Sequence, residues 1–182
     1  MALLKVAKLG DPILRQNTQL INLKDLNSPD GKVQLLIDDM IDTMRKEDGV
    51  GLAAPQVFES LRLVVIECSF NDRYSEAPNI PLTVLVNPSI KHYSEETAMG
   101  WEGCLSLKDL RGLVPRSTKI TVDYFDREGN PITVNAEGFP AVVLQHEIDH
   151  LHGKVFLDRM PDLSQLAYLE EFEKYIAKKE NS

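Results

Sequence analysis

The sequence predicts an α+β fold in which a mixed or antiparallel sheet packs around a central helix, with one helix nearer the N-terminus and another at the C-terminal end. Three observations carry this expectation. Strand-like runs fall in the middle of the chain, runs of helical period lie on either side of them, and the links between strands are short and of hairpin type. At 182 residues the chain suits one domain, 1–182, with a hydrophobic core of its own.

The elements follow in order. Gly10-Asp11-Pro12 reads as a turn into a short helix. Ser28-Pro29-Asp30 is a helix start: a capping residue, then proline, then an acid in the first turn. Val33, Leu36, Ile37, Met40, Ile41 and Met44 then recur at the helical period, and this helix is expected to stop before Gly49. Strand-like runs occupy 62–67, 82–87, 90–95, 119–125 and 132–135, with a polar loop over 71–80 and a hairpin-type turn at Asp126-Arg127-Glu128-Gly129-Asn130. Phe139, Val142, Val143, Ile148 and Leu151 form the stripe of the central helix, with Gly138 and Pro140 at its start and Gly153 at its end. A last helix is expected from near Asp162, with Leu166, Leu169, Phe172, Tyr175 and Ile176 along one face.

Composition narrows the function. Hydrophobic residues at 43% and charged residues at 26% are ordinary for a globular protein. A net charge of −8 argues against DNA and other nucleic acids as partners, which want a basic face. No stretch approaches a membrane span, and lysines at 5 and 8 interrupt any signal-peptide core, so the cytoplasm is the expected location. The two cysteines are expected as free thiols in a reducing compartment: Cys68 as a small buried hydrophobe in a strand, Cys104 in a loop-like stretch after Trp101.

The chemistry concentrates in His146-Glu147-Ile148-Asp149-His150. Residues four apart share a helix face, so two imidazoles at this spacing reach one metal ion, which makes the central helix a metal-binding one. The Glu147 carboxylate can meet a water held there and take its proton as that water ionises near neutral pH. This is the equipment of metal-assisted hydrolysis. A catalytic tetrahedral site needs a third protein ligand; His92, His152 or a carboxylate could supply it, and Cys104, with Gly103 before it, is the most telling candidate. A thiolate with two imidazoles favours zinc or divalent iron. The small-residue stretch Gly49-Val50-Gly51-Leu52-Ala53-Ala54-Pro55-Gln56 lets a substrate backbone approach, and the Gln56 amide and the backbone N–H of Leu105 could face an oxyanion. Taken singly, the stretch reads better as a glycine-rich helix terminus with a surface glutamine.

Together that stretch, Glu102-Gly103-Cys104-Leu105-Ser106 and Gln145-His146-Glu147-Ile148-Asp149-His150-Leu151-His152-Gly153 resemble, in order, the three signature motifs of peptide deformylases. Gly10-Asp11-Pro12-Ile13-Leu14-Arg15 and Arg111-Gly112-Leu113-Val114-Pro115-Arg116 are similar to that family as well, and the closing helix resembles its bacterial class ending in a helix. The resemblance implies removal of the formyl group from N-formylmethionine at the start of newly made polypeptides, with formate released. It implies Cys104, His146 and His150 as ligands of one divalent metal per chain, Fe2+ in the cell with Zn2+ or Ni2+ able to substitute. It implies Glu147 as general base and then acid, and Gln56 with the Leu105 N–H on the oxyanion.

Val50, Phe139, Val142 and Val143 match the family's methionine pocket, although each alone reads as core. Gly51 and Gly100 are expected along the peptide main chain as an added strand, and Arg111 further along it. Glu102 is read as the partner of Arg116, fixing the cysteine loop. The last helix, with Lys174, Lys178 and Lys179, either touches the ribosome, as in some relatives, or is a solvated helix end. Where many members carry a proline after the cysteine loop, this chain has Leu107-Lys108-Asp109-Leu110, a departure that bears on the peptide-entry rim. Two rival readings make contrary demands. A metallopeptidase wants a carboxylate or third histidine as ligand, and a structural zinc domain wants a fourth protein ligand.

Overall fold

Both faces of the strand Leu63–Cys68 are buried, and that fact organises the molecule. In the computed structural model, which describes residues 2–28, 31–68 and 79–177, eight strands form two antiparallel sheets. They are β1 (Gly51–Ala53), β2 (Leu63–Cys68), β3 (Ile80–Tyr93), β4 (Thr97–Cys104), β5 (Leu107–Ser117), β6 (Lys119–Phe125), β7 (Pro131–Glu137) and β8 (Leu166–Tyr168). One sheet has the order β1-β2-β3-β6-β7, the other β4-β5-β8. Four α-helices accompany them, besides short 3-10 turns: α1 (Leu23–Leu26), α2 (Lys32–Lys46), α3 (Phe139–His150) and α4 (Leu169–Tyr175). The expected α+β class with antiparallel sheets is what the chain forms.

Alternation along β2 divides the core. Leu63 and Val65 pack with Ile37, Met40 and Met44 of α2. Val64 and Ile66 pack with Ala141, Leu144 and Ile148 of α3. Successive side chains on a strand point to opposite faces, so an uninterrupted apolar run is what a sheet covered on both sides requires. α3 is buried nearly all round, including Gln145, His146, Glu147, Asp149 and His150. A helix with so many polar groups inside needs partners for each of them. A smaller apolar cluster of Cys104, Leu107, Val114, Val155 and Phe156 holds the β4–β5 sheet.

Several expectations are corrected. The runs 82–87 and 90–95 belong to one strand, β3, which shifts register between Val86 and Ser89. Asn87 takes φ 53° there, and its side chain accepts from Ile21 N–H at 2.9 Å and donates to Ile21 O at 2.8 Å. Asparagine tolerates this left-handed backbone better than most residues. Cys104 ends a strand rather than sitting in a loop, because β4 pairs along its length with β5, Thr97 opposite Ser117 and Glu102 opposite Gly112. The last helix begins at Leu169, not near Asp162, because Leu166, Ala167 and Tyr168 pair with the free edge of β5. α2 starts at Lys32 behind Gly31; Pro29 and Asp30 of the expected start lie outside the described residues, as do 71–78 of the polar loop. Lys178 and Lys179 also lie outside them, and α4 itself carries Glu170, Glu171 and Glu173 beside Lys174.

An N-terminal arm crosses all three motif segments. Ala7 N–H donates to Gln56 O at 2.7 Å, Leu9 N–H to Ser106 O at 3.1 Å and Thr18 N–H to Leu151 O at 3.0 Å. Gly153, at φ +68°, lets the arm close in: a Cβ there would stand 2.7 Å from the backbone of Arg15. Among the described residues, no helix is long and apolar enough to cross a membrane.

Candidate active site

His146 and His150 lie one turn apart on α3, and their rings meet edge to face at 5.0 Å between centroids. β4 delivers Cys104 to the same point. One donor atom from each of Cys104, His146 and His150 falls within 4.8 Å of the others, and Cys104 Sγ is 3.3 Å from His150 Nε2. Burial alone would push the Cys104 thiol up, but the charges and hydrogen bonds of His150 and His146 more than offset it and hold the thiol well below its ordinary value. A thiolate beside two imidazoles is a donor set for zinc or divalent iron, so the three residues fit a tetrahedral ion with one position open.

A chain of buried charges fixes the ligands from behind. Glu102 stands two residues before Cys104 on β4, and its Oε2 accepts from His146 Nδ1–H at 2.8 Å. That bond turns His146 Nε2 toward the cluster, the arrangement by which a carboxylate orients a ligating histidine. The Arg116 guanidinium grips Glu102 with two bonds of 2.7 and 2.9 Å and donates a third to Asp149 Oδ2 at 2.6 Å. Arg159 Nε–H donates to the same Asp149 oxygen at 2.9 Å. Burial pushes the Glu102 carboxyl up, but Arg116 and His146 outweigh it and bring it to about 2. The expected Glu102–Arg116 pair is present. Asp149 and Arg159 extend it, a link hidden from the sequence because an aspartate on a helix and an arginine ten residues on carry no pattern.

Glu147 lies on the cavity side. Its Oε2 is buried with no hydrogen-bond partner among the described residues, and burial raises its pKa despite the opposing pull of His146 and His150. Gly51 makes room for it: a Cβ on Gly51 would stand 2.6 Å from Glu147 Cδ. This is a reason for glycine beyond the expected backbone approach of a peptide. Gln56 is held by its oxygen, which accepts from Ala53 N–H at 2.8 Å. Its amide nitrogen is thereby aimed at the cluster, 3.4 Å from Cys104 Sγ and 3.3 Å from Ser106 Oγ.

A cavity of about 370 Å³ opens over these groups. Val50, Phe139, Val142 and Val143 line it together with Gly51, Gln56, Leu105, Arg111 and Glu147. Gly100 is not among the lining residues, and a Cβ built on it meets nothing within 4 Å. His92 sits on β3 opposite Thr121 of β6, and His152 contacts Arg62 at 2.9 Å; neither joins the cluster. The sequence reading assigned no site role to Trp101, Leu169, Phe172 or Glu173, yet all four line the cavity.

A buried His-Glu-x-x-His helix, a converging thiolate and an adjoining cleft define a metal-dependent hydrolase. The polypeptide deformylase family model matches residues 3–166, and the chain belongs to that family of metallohydrolases, which remove formyl groups. It is 42% identical to peptide deformylase 2 of Nostoc sp. over 176 residues, 97% of this chain and 96% of that one. It is 46% identical to peptide deformylase 1 of Bordetella pertussis over 165 residues, 91% of this chain and 92% of that one. Its fold matches the Met-Ala-Ser-bound class I type b peptide deformylase of Acinetobacter baumannii with a TM-score of 0.83 and 40% identity, over 87% of this chain and 99% of that one. It also matches the actinonin complex of a Synechococcus elongatus peptide deformylase with a TM-score of 0.77 and 32% identity, over 97% of this chain and 86% of that one.

Proposed function

We propose that the whole chain, 1–182, works as one catalytic domain that deformylates the N-terminal formylmethionine of newly made polypeptides in the cytoplasm. Cys104, His146 and His150 are its metal ligands, and ferrous iron is the ion used in the cell, with Zn2+ or Ni2+ able to take its place. The observation that carries the reading is the buried Glu147 carboxylate, which keeps one oxygen without a partner among the described residues beside three converging donors.

Cys104, His146 and His150 would hold a divalent ion, which when bound would supply Lewis acidity to a water and to the formyl group. This chain's residues do the rest. Glu147 Oε2 accepts the proton of the attacking water and returns it to the departing amine, a role suited to a carboxyl that burial raises above its ordinary value. The Gln56 amide, aimed by its bond to Ala53, and the Leu105 N–H at the hairpin tip stabilise the charge that grows on the formyl oxygen. Glu102 keeps His146 in its ligating orientation. Val50, Phe139, Val142 and Val143 receive the methionine side chain, Gly51 and Gly100 run beside the peptide backbone, and Arg111 meets the chain further on.

The test is formate release from formyl-Met-Ala-Ser by protein purified without oxygen and loaded with iron(II). Release is expected to fall about 10²–10⁴-fold in Glu147→Ala, with the acetylated peptide untouched. Folded, metal-loaded protein that releases no formate would overturn the assignment. Iron- and zinc-loaded samples exposed to air separate the metals: the iron form loses activity as its thiolate site oxidises, and the zinc form keeps it.

A further inference from the structure

α4 lies beyond the span matched by the family model, which ends at residue 166, yet it borders the cavity. Its placement follows from the pairing of β8 with β5, Leu110 opposite Tyr168 and Gly112 opposite Leu166, which brings the chain to the hairpin that carries Cys104. Leu169, Phe172 and Glu173 are spaced three and four apart, so they share one helix face, and all three line the cavity. Phe172 meets Trp101 of β4 at 4.9 Å between ring centroids, tilted by 54°. The wall so formed is aromatic and apolar, with an acidic edge. Glu173 and Asp48 both line this cavity, and neither makes an ion pair among the described residues, whereas Glu47 is held by Lys108 at 3.2 Å.

We infer that α4 is a specificity wall of the peptide cleft: Phe172 with Trp101 contacts the residues that follow the formylmethionine, and Glu173 favours cationic over anionic side chains there. The inference rests on the deformylase reading above. Methionine has its own apolar pocket against α3, so a wall lying beyond Trp101 serves the segment that leaves the pocket. Packing on an aromatic pair and attraction to a carboxylate act on ground state and transition state alike, so both are felt in KM rather than kcat.

The experiment compares three substrates: formylmethionine amide, and formyl-Met carrying either three lysines or three glutamates. Phe172→Ala is expected to raise KM for both tailed peptides about five-fold, well beyond its effect on formylmethionine amide. Glu173→Lys, at an exposed position, is expected to abolish or invert the preference of lysine over glutamate, and it carries the test even if Phe172→Ala folds poorly. Trp101 is the single tryptophan of the chain, so its emission reports occupancy without turnover. Titration of the metal-loaded protein with Met-Ala-Ser should shift it, and at higher peptide concentration in Phe172→Ala. Equal losses on minimal and tailed substrates, an unchanged charge preference in Glu173→Lys, or Trp101 emission indifferent to peptide would each overturn the inference. Absence of turnover on every formylated substrate would remove the deformylase reading itself, and this one with it.

Discussion

Two of the two-pronged arginine–carboxylate pairs among the described residues differ in their surroundings, one sealed and one in the open. Arg116 and Glu102 meet at 2.7 and 2.9 Å with side chains only 5% and 4% exposed. Arg45 and Glu67 meet at 2.6 and 2.8 Å with side chains 50% and 25% exposed. Geometry does not separate them; surroundings do. In the open pair, water and salt screen the attraction and already satisfy either partner alone. In the sealed pair neither charge has water to fall back on, and the balance extends to Asp149 and Arg159, two carboxylates against two guanidiniums. Only the sealed pair ends on a candidate metal ligand, His146.

Breaking each pair tests the contrast, starting where the effect is largest. Arg116→Ala strands Glu102 and weakens the hold on Asp149, and is expected to cost about 3–5 kcal/mol in urea unfolding; a loss below about 1 kcal/mol would place it with the open pair. Glu102→Gln keeps the shape but removes the charge that orients His146, and zinc affinity measured against a competing chelator should fall about 10–100-fold. Unchanged affinity would mean that the ring holds its position without Glu102. Arg45→Ala is expected to cost less than about 1 kcal/mol, and less again at high salt.

The smallest effect is a pH dependence. Its bond to Arg45 holds the Glu67 carboxyl below its ordinary 4.5. A lowered folded-state pKa means stability fully present above 4.5 and lost as pH falls through the folded value. Melting curves of wild type and Glu67→Gln should therefore differ slightly at pH 6 and converge in strong acid; a gap that persists there would be packing rather than charge.

What the sequence made legible follows the range of the interactions. α2 and α3 could be read because a helix writes its partners into its own period. The Cys104 strand could not: Thr-Ala-Met-Gly-Trp-Glu-Gly-Cys has no alternation, and it is β5 across the hairpin that holds it extended. The C-terminal boundary failed for a similar reason. Leu166 and Leu169 have helical spacing, yet residues 166–168 gain more by completing the edge of β5 than by extending a helix, and such pairing commonly overrides local preference. In the candidate site, the histidines, Glu147, Cys104 and the Glu102–Arg116 pair were visible as motifs or complementary charges. Asp149 with Arg159, and Phe172 on Trp101, arise from the way distant segments pack, and no local pattern announces them.

The N-terminal arm has a consequence for the order of assembly. Ala7, Leu9 and Thr18 are synthesised before every partner they bind, and those partners lie roughly 50, 100 and 130 positions further along, at Gln56, Ser106 and Leu151. The last of these bonds therefore waits until most of the chain is available, and closing loops of that length slows folding. The arm's three bonds then fasten one motif segment to the next, like the last stitch drawn through a seam. The catalytic centre is thus finished by some of the earliest residues made.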